Sequence, residues 1–152
     1  MQIEKTPALR RYIRVMRILS AVYFLMALST FFLNEQIVYI LNLLPSLAGV
    51  MESLPNSGYN FWLAPASAFL MTLSLMSLIS SMRPMERGYA LIHLFAKILI
   101  ILSFFYLFHF HERYFAYLFG IAIESLFTLC IVFVLLGVLI RPETPVSAPE
   151  AE

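Results

Sequence analysis

Four long apolar stretches dominate the chain. They fall at about residues 17–33, 61–81, 89–108 and 114–140. A helix needs about 20 mostly apolar residues to cross a bilayer, at a rise of about 1.5 Å each. The second and third stretches match that length. The first reaches it only if it starts among arginines whose stems can snorkel, and the fourth is long enough to tilt. The pattern predicts an all-α integral membrane protein with four transmembrane helices in an antiparallel bundle. The organisation expected is a basic segment 1–16, a membrane domain 17–140 and a polar tail 141–152.

The first two spans are joined by an external loop, 34–60, with an apolar core from Ile37 to Leu44. That core is too short to cross, and Pro45 is expected to stop it. A short interfacial helix is the predicted element. "LPNSGYN" reads as a turn-rich loop, and Phe61 with Trp62 as an aromatic interface anchor. The tail "RPETPVSAPEAE" has the composition of a disordered segment.

Composition agrees with the pattern. Of 152 residues, 61% are hydrophobic and 12% charged, where a soluble domain is about a quarter charged. The net charge of +1 gives no case for nucleic-acid binding. The single cysteine, Cys130, excludes an intramolecular disulfide. The basic start followed by an apolar stretch reads as an uncleaved signal anchor.

The basic residues set the expected orientation. Lys5, Arg10, Arg11, Arg14 and Arg17 precede the first span, Arg83 and Arg87 lie in "MRPMERG", and Arg141 follows the last span. Only Arg113 falls on the opposite side. The positive-inside rule then places both termini in the cytoplasm. Arg10, Arg11, Arg14 and Arg17 are candidates for contact with membrane lipid or a partner.

The polar residues inside the apolar stretches carry the candidate chemistry. Lys97 lies near the middle of the third span and Glu124 at matching depth in the fourth. Charges within a membrane usually face the protein interior and pair, so Lys97 and Glu124 are expected to meet. Tyr89, His93 and Lys97 recur at i, i+4 and i+8, as do Gly120, Glu124 and Thr128, predicting a polar seam. Ser67, Ser74, Ser77 and Ser81 share a face of the second span, where small residues allow close packing. The plainer reading of the seam and the serines is that they fix helix register.

His93 has the chemistry of a haem or pigment ligand, but His109 and His111 lie at the far end of its own helix. "HFHERY" gathers His109, His111 and Glu112, too few ligands in one turn for a defined metal site. There is no aspartate in the chain, and no G-x-S-x-G, phosphate-loop or zincin motif, so nothing points to catalysis.

"FWLAPASAFLMTLSLMSL", a basic loop containing proline, a lysine in the next span and the "HERYFAYL" turn together resemble an uncharacterised class of small four-helix bacterial membrane proteins. The resemblance implies four helices and a bacterial inner membrane, and no activity. The leading functional expectation is a non-catalytic accessory subunit of a larger membrane complex with other membrane subunits as partners. The alternatives are a binder or transporter of a lipophilic molecule such as a quinone or lipid, and a redox or pigment-bearing subunit using His93. No cofactor is strongly implied.

Overall fold

The computed structural model describes residues 6–49, 51–54, 63–111 and 113–140. Glu112, the Phe61–Trp62 pair, most of the "LPNSGYN" turn, Lys5 and the tail from Arg141 lie outside the described residues. Among the described residues, five helices follow one another: α1 (Pro7–Phe32), α2 (Asn34–Ala48), α3 (Leu63–Met82), α4 (Arg87–Phe110) and α5 (Phe115–Ile140). Four of them, α1, α3, α4 and α5, are long and apolar enough to cross a membrane.

Helix α1 starts at Pro7, well before the expected span at 17–33. Thr6 supplies the N-cap, accepting from the Leu9 N–H at 3.3 Å, and Pro7 occupies the first turn, where its missing N–H costs nothing. Arg10, Arg11, Arg14 and Arg17 therefore lie within α1. Leu9, Tyr12, Met16, Leu19, Tyr23 and Ala27 follow spacings of three and four and form its buried face. Arg10, Arg11, Arg14 and Arg17 are all exposed.

Only Leu33 separates α1 from α2. Pro45 does not stop α2, contrary to expectation. It sits in the last turn, where proline removes a single backbone hydrogen bond, and the helix runs on to Ala48. The stop comes from Gly49, in the left-handed region at φ 63°, whose N–H donates to the Pro45 carbonyl at 2.9 Å. Asn42 then holds the returning chain: its amide donates to the Leu54 carbonyl at 2.9 Å and its side-chain oxygen accepts from the Leu54 N–H at 2.8 Å. A bridge between Glu52 and Tyr114 ties the same segment to the start of α5. The outer face of α2, with Tyr39, Ile40, Leu43, Leu44 and Leu47, is exposed.

The four long helices close a ring in which α1 packs on α3 and α5, and α4 packs on α3 and α5. Helix α2 lies against α5 and α1. Small residues permit the closest approaches. The Ser67 hydroxyl donates to the Ala27 carbonyl at 3.0 Å and the Ser74 hydroxyl to the Ser20 carbonyl at 2.8 Å, bonding α3 directly to the α1 backbone. On the other side, the ring of Phe104 lies over Gly120, where a Cβ would come within 2.7 Å of Phe104 Cε2.

Gly120 is thus the residue that lets α4 and α5 approach here. Gly120→Ala is expected to sit near break-even. Overpacking costs about 1–3 kcal/mol, against roughly 1 kcal/mol gained by replacing glycine inside a helix. Gly120→Leu cannot be absorbed in this way and should lower the thermal unfolding midpoint clearly. Shortening the opposing ring in Gly120→Leu/Phe104→Ala should restore much of the loss. Equal midpoints for wild type and Gly120→Leu would refute the close approach.

Candidate functional site

The enclosed polar group is built from side chains on all four long helices. Helix α4 buries one stripe, Ala90, His93 and Lys97, spaced at three and four. Its other faces carry Leu91, Ile92, Phe95, Ile98, Leu99 and Leu102, all exposed. A lysine on the inward stripe of so apolar a helix requires a counter-charge, and α5 provides it. Lys97 Nζ donates to Glu124 Oε2, with Lys97 0% and Glu124 6% exposed. Removing two charges from water is costly, and only good pairing offsets it.

Aromatic faces complete the cation's surroundings. Lys97 Nζ lies 4.1 Å from the centroid of the Tyr23 ring on α1 and 5.5 Å from that of Phe127 on α5. Both distances suit cation–π attraction, worth up to about 2 kcal/mol where water is excluded. Tyr23 and Phe127 meet edge to face at 5.6 Å. One turn back on α4, His93 tilts against Tyr23 at 5.5 Å. Its Nδ1 shares a 3.1 Å hydrogen bond with Ser77 Oγ of α3.

Two buried polar atoms here, Tyr23 Oη and His93 Nε2, have no hydrogen-bond partner among the described residues. If the Ser77 hydroxyl donates to Nδ1, Nε2 carries the proton and is a donor. The reverse tautomer makes it an acceptor.

The other seam and packing residues are distributed differently. Tyr89 stays half-buried at the start of α4, outside the enclosed group, because the inward stripe runs through Ala90 instead. Thr128 bonds back to the Glu124 carbonyl at 2.7 Å, so its hydroxyl serves its own helix. Ser81 likewise donates to Leu78 at 2.7 Å. Of the serine face, Ser67 and Ser74 reach α1 and Ser77 reaches α4. His109 and His111 are exposed at the far end of α4 from His93. The His109 ring stacks on Phe105 at 6.0 Å and the His111 ring meets Tyr106 at 5.7 Å. Among the described residues, no three His, Cys, Asp or Glu side chains gather as metal ligands would.

Tyr23, Phe127, Ser20 and Ser80 belong to this interior and were not singled out from the sequence. The available signal was the spacing Leu9–Tyr12–Met16–Leu19–Tyr23–Ala27. It becomes visible only when the arginine-rich stretch is read as helix.

No family model, curated protein or solved structure matches this chain.

The pair makes a direct prediction. Lys97→Met or Glu124→Gln alone strands the other group, at a cost of about 3 kcal/mol by the insertion scale for a lone central charge. Neutralisation of the stranded group would soften that loss. The double variant should recover most of it when unfolding is followed in detergent. Losses that simply add would show that the pairing contributes nothing to stability.

Proposed function

We propose that this chain is a four-span integral membrane protein acting as a non-catalytic accessory subunit of a larger membrane complex. The observation that carries the reading is a division of surfaces. The ionisable groups of the interior are enclosed and engaged with one another, while beyond the arginines at the start of α1 the outward faces of the long helices are largely apolar. Phe95 is 62% exposed, Leu129 65% and Phe133 67%. Soluble monomers rarely expose apolar patches beyond a few hundred Å², so lipid and neighbouring helices are the natural cover. A reactive group shut away in this manner suits assembly better than turnover.

Residue pairings support an antiparallel bundle. Ala27 meets Ser67 and Ser20 meets Ser74, so contacts advance along α3 as they retreat along α1. Lys97 with Glu124 and Phe104 with Gly120 behave likewise on α4 and α5. The arginines of α1 and the Arg83–Arg87 turn support cytoplasmic termini, with α2 on the opposite side as an interfacial helix. The resemblance noted above supports a bacterial inner membrane.

A second reading, a binder of a lipophilic molecule such as a quinone or lipid, is favoured by the unpartnered Tyr23 Oη and His93 Nε2. Tyr23→Phe separates the two. It should leave an accessory subunit's assembly intact but release a bound quinone from the purified protein.

Two measurements test the leading reading. In a Cys130→Ser background, a membrane-impermeant maleimide should label Ser46→Cys in intact cells and Glu86→Cys only after permeabilisation. The reverse pattern would overturn the orientation. Native mass spectrometry after mild extraction should show the chain bound to other membrane polypeptides. A monomer that never carries a partner would count against the accessory role.

A further inference from the structure

We propose that the outward side of α1 is a binding site for an anionic phospholipid, with the phosphate held by Arg14 and Arg17 and an acyl chain laid along the helix above them. The proposal rests on the four-span reading.

Positions 10, 14, 17, 21, 25, 28 and 32 are spaced by three and four, so they form one side of α1. The lower part of that side is Arg10, Arg14 and Arg17, all exposed. Its upper part is apolar: Ala21 is exposed, Leu25 is 61% exposed and Phe32 71%, with Ile18, 56% exposed, beside them. The buried stripe from Leu9 to Ala27 occupies the other side of the helix. One face therefore changes from cationic to apolar along its length, in the manner of an amphiphile. Small Ala21 lies between Ile18 and Leu25 on this apolar part of the helix.

Depth argues for the same ligand. Helix α1 ends at Phe32, where α2 begins at once. From Arg17 to Phe32 the helix rises only about 22 Å, less than the roughly 30 Å of hydrocarbon in a bilayer. With Phe32 at one boundary, Arg17 starts inside the other and must reach back toward the headgroups. Arg14, one turn away, lies beside it on the route. Guanidinium groups pair with phosphate bidentately, so two arginines a turn apart can grip one phosphate. A soluble anion would use the arginines but not the apolar half of the stripe, so lipid is the occupant that fits both.

The test uses the full chain in detergent, titrated with phosphatidylglycerol or phosphatidylcholine and read by native mass spectrometry. Phosphatidylglycerol should be retained about 25-fold more strongly. Each arginine near the headgroups contributes about fivefold, so Arg14→Gln/Arg17→Gln should abolish the preference. Arg83→Gln should keep it, since that side chain already pairs with Glu86 at 3.3 Å. Unchanged labelling of Ser46→Cys would show that the double variant is still inserted the same way. Equal retention of the two lipids overturns the proposal. So does displacement of phosphatidylglycerol by inorganic phosphate, which would mark a plain anion site, or a polypeptide that leaves with the arginines, which would mark a protein interface. A chain that is monodisperse in buffer without detergent and retains neither lipid would instead bring down the four-span reading itself.

Discussion

A positive charge can be kept away from water only where the surroundings are arranged around it, and Lys97 imposes that condition on this fold. Its ammonium is enclosed by Glu124 and Phe127 from α5 and Tyr23 from α1, while His93 on the same helix binds Ser77 of α3. Sliding any one long helix by a turn would break at least one of these contacts. Leaving a central charge unpaired in lipid costs about 2.5–3.5 kcal/mol, whereas a hydrogen bond between spans averages about 0.6 kcal/mol. The ion pair therefore dominates the choice of register. The serine bonds from α3 to α1 refine a match already made, and they do so against backbone carbonyls, which any small hydroxyl residue can reach.

Packing and polarity divide the work unevenly among the helices. Between α1 and α3 the interface is made by small residues with hydroxyls, so the two backbones are bonded directly. Between α4 and α5 it is made by one glycine under an aromatic ring and one buried charge pair. Among the described residues, the exposed charged and histidine side chains of the long helices gather toward their ends, with the arginines at one and His109 and His111 at the other. That asymmetry separates an interior held by specific contacts from an exterior of largely apolar side chains.

Much of this was legible in the chain. Long apolar stretches predict the long helices, and the depth of Lys97 and Glu124 predicts that they lie close. What stayed hidden had physical reasons. Tyr23 reads as one more aromatic in an apolar run, since nothing in a tyrosine announces that its ring will face a cation. The start of α1 was obscured because arginines look like a flank, although their exposed side leaves Leu9, Tyr12 and Met16 free to pack. Pro45 reads as a stop because proline disrupts helix interiors, yet in a final turn the disruption is small and Gly49 ends the helix instead. Tyr89 fits an i, i+4, i+8 series with His93 and Lys97, but the buried stripe of α4 follows i, i+3, i+7 from Ala90.

Chain order gives the Lys97 environment a history. Tyr23 is made early and Ser77 before α4, but Glu124 follows Lys97 by 27 residues. At about 5–20 residues per second, a nascent chain spends roughly one to five seconds with the ammonium made and its carboxylate still to come. During that interval the aromatic face of Tyr23 is the cation's only partner, among those in the finished cluster, that already exists. Of the three groups around the ammonium, the Tyr23 ring thus precedes Lys97 in the chain, while Glu124 and Phe127 both follow it.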